Sequence, residues 1–137
     1  MIFQSIRIKE GLAERSFCFT KGANLIFSHE NSKGKTTLLR FMLYSLGYNI
    51  PNTRKIKFDR CEVVSQILAD SVGELILSRY SNDFIEATVS GEKRTYILPD
   101  QLYDLHKIIF GTENVDVLKL MDNYKEAGLY FFDVLGV

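Results

Sequence analysis

The chain holds 137 residues, 46% of them hydrophobic, with 17 basic and 17 acidic side chains and a net charge of zero. That length fits one domain, 1–137, with its own core, and no apolar run is long enough for a membrane-spanning helix. The opening MIFQSIRIKEG alternates and carries charge, unlike a secretory leader, and the two cysteines, Cys18 and Cys61, read as free thiols of a cytoplasmic protein.

The charge is unevenly placed. Residues 1–60 carry eleven Lys/Arg against four Asp/Glu (+7), and residues 61–137 carry six against thirteen (−7). A basic half suits phosphates or nucleic acid; equally, two opposite halves attract each other within one fold.

Ile6 and Ile8 alternate with Arg7 and Lys9, the pattern of a strand with one wet face. Gly11 allows a turn, and Arg15 to Phe19 reads as a second strand with Phe17 and Phe19 on one side. Leu25-Ile26-Phe27 is a continuous apolar run, as in a central strand buried on both faces. After the loop SHENSK, residues 36–46 read as a helix whose apolar side chains cover nearly the whole circumference, which predicts burial on all sides. Gly47 is its expected stop. Residues 49–60, NIPNTRKIKFDR, read as a connection outside the core.

Four short strand-like stretches follow, at 61–68, 73–80, 84–89 and 94–98, separated by the turn-rich DSVG, SND and SGEK. Such spacing predicts an antiparallel meander. Pro99-Asp100 opens a helix striped by Leu102, Leu105 and Ile109 and closed by Gly111. A second helix is expected over about 114–127, then a buried strand at 129–132. The two histidines form no metal-ligand spacing, and His106 reads as a surface or boundary residue.

The stretch SHENSKGKTTLLRF carries the chemistry. Gly34-Lys35-Thr36 ends the pattern G-x-x-x-x-G-K-[ST], in which backbone amides curl around a phosphate at a helix N-terminus. In that role Lys35 reaches the β- and γ-phosphates, Thr36 holds magnesium and Thr37 donates to the α-phosphate. Lys33 adds charge inside the loop. Asn31, Ser32, Lys33, Gly34, Lys35, Thr36 and Thr37 are therefore the candidate ATP-binding residues, with Thr36 on Mg2+. The first glycine of the pattern is replaced by His29. A left-handed conformation there costs on the order of 1–2 kcal/mol, which packing absorbs.

Residues 22–48 resemble the start of ABC-type ATPase heads of the structural-maintenance-of-chromosomes and double-strand-break-repair kind. The resemblance is carried by Gly22, Asn24, Ile26, Asn31, Gly34, Lys35, Thr36, Thr37, Leu38, Leu39, Leu46 and Gly47. It is strong over residues 1–48 and topological beyond. His29, Ser32 and Lys33 depart from the usual Gly, Gly and Ser, although a subgroup of bacterial ATPases shows a similar short variant. The resemblance implies an α/β fold: a P-loop NTPase-like N-terminal lobe, with a mixed sheet around a buried P-loop helix, an antiparallel meander and two C-terminal helices.

It also implies a composite mechanism, in which one protomer supplies the P-loop and another the signature motif. No LSGGQ-type signature is found, since Val89-Ser90-Gly91-Glu92 reads as a hairpin turn. Leu129 to Asp133 reads as a strand approaching a Q-loop, with a Walker B aspartate or a plain core strand as alternatives; Val134 stands where the catalytic Glu belongs. The expectation is thus an ATP/ADP-binding half-site with no catalytic residue of its own, completed by a missing C-terminal lobe or partner subunit. Arg54, Lys55, Lys57 and Arg60, with Phe58 among them, are a candidate DNA contact. The competing readings are a docking module that has lost nucleotide, and a small P-loop kinase, for which no arginine-rich lid or acceptor site is evident.

Overall fold

The computed structural model describes residues 1–19, 32–69 and 71–111, with the backbone alone at 32–36. The chain order is β1 (Ile2–Glu10), β2 (Ala13–Cys18), α1 (Ser32–Ser45), a 3-10 turn (Phe58–Arg60), β3 (Glu62–Ala69), β4 (Gly73–Arg79), β5 (Phe84–Val89), β6 (Glu92–Ile97) and α2 (Leu102–Phe110). The expected second C-terminal helix, the strand at 129–132 and the apolar run 25–27 lie outside the described residues.

The six strands form one sheet in the order β2-β1-β3-β4-β5-β6, and every neighbouring pair is antiparallel. This corrects the expected fold: among the described residues there is no mixed sheet around a P-loop helix. The two helices instead lie against one face of an antiparallel sheet, α1 over β3 and β4, and α2 over β3 and β6. The reason lies in the connection between β2 and β3. Both run antiparallel to β1, so they point the same way, as the strands of a β-α-β crossover do. The slot between them, however, is filled by β1 running the other way, and no parallel pair forms. The later strands are joined by turns too short for any crossover, so the meander expected from 61 to 98 is observed.

Alternation sets which face is buried. Across the strands, Ile6, Ser65, Leu77 and Ala87 form one inward row, with Phe3, Ile67 and Leu75 forming another. Phe3 and Ile6 are an odd number of residues apart and would point to opposite faces of a regular strand. A register shift between Phe3 and Ser5 inserts Gln4 as an extra residue, which returns both side chains to the core. The opposite face carries Arg7, Val64, Ser78, Glu86 and Thr95 in one row, a mixed surface with wet side chains.

The β5–β6 connection is the two-residue turn Ser90-Gly91, both with positive φ (52° and 81°), the backbone of a type I′ hairpin. Val89 to Glu92 is therefore a hairpin corner, as the sequence indicates. Among the described residues, no helix is long and apolar enough to cross a membrane.

Candidate functional site

Helix α1 begins at Ser32, so Ser32, Lys33, Gly34, Lys35 and Thr36 form its opening turns; Thr37 is partly buried and Leu38 is in the core. The first four amides of any α-helix lack partners within it and form the positive end of its dipole. The sequence leaves that end without an acidic side chain in the first turn. Asn31 and His29 lie outside the described residues. From Phe41 to Tyr48 every side chain is buried, as the all-round apolar pattern predicts.

The carbonyl end of α1 is built in detail. Tyr48 N donates to Leu43 O at 3.2 Å and Gly47 N to Tyr44 O at 3.0 Å, the paired bonds of a Schellman stop. Gly47 has φ 106°, and a Cβ there would sit 2.5 Å from Leu102 Cδ1. The positive φ thus favours glycine, and a Cβ would also have to displace the tip of Leu102 on α2.

Two buried polar side chains close on this end. Arg79, 1% exposed at the end of β4, donates from Nη1 to Tyr44 O (2.7 Å) and Tyr48 O (2.8 Å). Its Nε donates to Ser81 O (3.0 Å) and its Nη2 to Asn82 O (3.3 Å), and its guanidinium lies 3.9 Å from the centre of the Tyr44 ring. Burial lowers the Arg79 pKa to about 10, so the group remains a cation at neutral pH, facing the negative end of the helix dipole. The Tyr44 hydroxyl donates to Asn82 Oδ1 at 3.3 Å; burial raises its pKa, so it stays protonated.

His106, 2% exposed on α2, places Nε2 2.9 Å from Leu46 O, with its ring between those of Tyr48 and Phe110. A carbonyl accepts only, so Nε2 carries the proton. Burial lowers the His106 pKa to about 4, which keeps the imidazole neutral. The expectation of a surface or boundary histidine is therefore wrong. Its helical offset from Leu102 places it beside the apolar stripe, and α1 leaves a carbonyl there to be satisfied.

The sequence motifs do not single out Arg79, although its position carries a signal. It lies two residues after Leu77 and four after Leu75, so strict alternation puts it on the inward face. A charged residue at an inward position asks for a buried partner.

The connection from 49 to 61 is also more ordered than expected. Asn52 Oδ1 accepts from Phe58 N at 2.8 Å, and Asn52 Nδ2 donates to Asp59 Oδ1 at 3.1 Å. Phe58 is fully buried, 4.7 Å from the Phe41 ring and 5.9 Å from the Tyr44 ring. It anchors the connection to α1 and offers no face for a nucleobase. Lys57 is partly buried and donates from Nζ to Thr53 O at 2.9 Å, whereas Arg54, Lys55 and Arg60 are exposed.

Both cysteines are free thiols, Cys18 exposed and Cys61 buried. Burial, reinforced by Glu10 at 3.7 Å, raises the Cys61 pKa to about 12, leaving it a weak nucleophile. Leu129 to Asp133 lie outside the described residues. In comparisons with known proteins, no family model and no curated protein matches the chain.

Proposed function

We propose that the chain binds ATP or ADP with Mg2+ at the opening turns of α1, as the nucleotide-binding half of an ATPase head similar to those of the ABC and structural-maintenance-of-chromosomes kind. The supporting observation is that Gly34-Lys35-Thr36-Thr37 lies in the opening turns of a 14-residue helix whose second half, from Phe41, is buried in the core. A phosphate there would accept from amides at the helix N-terminus, with Lys35 supplying charge and Thr36 a magnesium ligand. Asn31, Ser32 and Lys33 complete the cradle in this reading. The signature and general base come from a missing lobe or a partner subunit, so the isolated chain binds without sustained turnover, in the cytoplasm. Arg54, Lys55 and Arg60 are the exposed cations for any DNA contact; Lys57 already serves its own turn.

Calorimetry with Mg-ATP on wild type and Lys35→Ala tests this. Tight binding to wild type and its loss in the variant are expected; equal affinity overturns the assignment. Sustained phosphate release by the purified chain would overturn the half-site reading while leaving the nucleotide site in place.

A second reading, a docking module that no longer binds nucleotide, draws support from the antiparallel pairing of every described strand. Thermal denaturation separates the two. Mg-ATP at a hundred times its dissociation constant stabilises a binder by about 2.7 kcal/mol and leaves a docking module unmoved.

A further inference from the structure

We infer that Arg79 and His106 are positioning residues for the phosphate-binding turn: by holding the carbonyl end of α1 to β4 and α2, they fix where its opening turn is presented. This rests on the nucleotide-binding reading above.

Helix α1 has 14 residues, so it is about 20 Å long. A tilt of about 10° at one end displaces the other by about 3–4 Å over that length. Hydrogen bonds to a phosphate tolerate a few tenths of an ångström before they weaken. The placement of the opening turn is therefore set by whatever fixes the orientation of the whole rod.

The buried side chains from Phe41 to Leu46 pack closely and resist large shifts of the helix. Apolar contacts carry little directional preference, so small adjustments of its orientation cost little in buried area. Directional bonds at its carbonyl end restrict those adjustments. Arg79 ties Tyr44 O and Tyr48 O to β4 and, through Ser81 O and Asn82 O, to the β4–β5 turn. His106 ties Leu46 O to α2. These bonds reach three carbonyls, those of Tyr44 in the last turn and of Leu46 and Tyr48 just beyond it, from two separate elements, which restricts rotation as well as tilt. Gly47 lets α2 come close enough for His106 to reach.

The test compares His106→Leu, which removes the donor but fills the space, with His106→Gln, which retains an N–H donor. Arg79→Lys is the parallel variant for the β4 side. Circular dichroism first establishes that each is folded at the temperature used, and Mg-ATP affinity is then measured by calorimetry, with Lys35→Ala as the reference for a lost site. His106→Leu is expected to weaken Mg-ATP about 5- to 20-fold, within the usual range for coupling between distant points. His106→Gln is expected to recover most of that loss. Should Arg79→Lys not fold, the two His106 variants still decide. If wild type binds, Lys35→Ala does not, and folded His106→Leu binds like wild type, the positioning role is overturned and the nucleotide site stands. If His106→Leu and His106→Gln are weakened equally, the effect belongs to general packing and the role is again overturned. If wild type itself does not bind Mg-ATP, the nucleotide reading fails and takes the positioning role with it.

Discussion

The carbonyl end of α1 and its amide end differ in composition and in what surrounds them in sequence. Each end of a helix leaves four backbone groups without intrahelical partners. The carbonyl end satisfies its groups from within the protein, with a Schellman turn, a guanidinium from β4 and an imidazole from α2. The amide end carries the sequence Ser-Lys-Gly-Lys-Thr, with two lysines and no acidic side chain in the first turn, the composition on which the proposed anion site rests. One end is built for the fold, and the other carries the residues on which the proposed nucleotide site rests.

Removing the guanidinium is the hardest blow to that contrast. Arg79→Met leaves buried carbonyls unpaired at the end of α1, against some relief from no longer burying a charge. A loss of about 3–4 kcal/mol in a urea titration is expected. A loss under 1 kcal/mol would mean that the carbonyl end does not depend on Arg79.

Acid attacks the same end through His106. Its folded pKa, about 4, lies below the ordinary value of 6.5, so between those two pH values the unfolded chain takes up a proton that the folded chain refuses. The stabilisation is fully present above pH 6.5 and is lost as pH falls toward 4, by about 3 kcal/mol in all. Stability curves at pH 7, 5.5 and 4 read this directly. His106→Gln should flatten that part of the profile; an unchanged slope would assign the acid sensitivity to other groups.

Gly47→Ala comes next. The positive φ and the contact with Leu102 both oppose a Cβ, although the Leu102 tip can shift. A loss of about 2 kcal/mol is expected in the same titration. A neutral result would show that the stop between α1 and α2 is plastic.

The smallest effect on stability belongs to the other end. Lys35→Ala replaces one good helix former by a better one, so a change within about 0.5 kcal/mol is expected without ligand. Its mark should appear only with Mg-ATP, as loss of the stabilisation that wild type gains. A large loss without ligand would erase the contrast between the two ends.

Much of the local structure was legible in the sequence because it depends on local rules. Alternation located all four meander strands near their observed bounds, Gly47 and Gly111 marked the helix stops, and the Ser90-Gly91 corner followed from turn chemistry. Phe58 was misjudged for a different reason. It sits among basic and polar neighbours, and nothing local says that Phe41 and Tyr44 will pack against it. His106 was misjudged likewise, since the acceptor that buries it lies 60 residues away.

The sequence by itself determined the alternation of the strands and the burial of the second half of α1, because each is encoded within a few neighbouring residues. Only the tertiary structure decided that β1 separates β2 from β3, so that every pair among the described strands is antiparallel. It also decided that Arg79 and His106 meet the same helix end. Strand order and buried polar partnerships join residues distant in sequence, and the energy that selects them appears only once the core has closed.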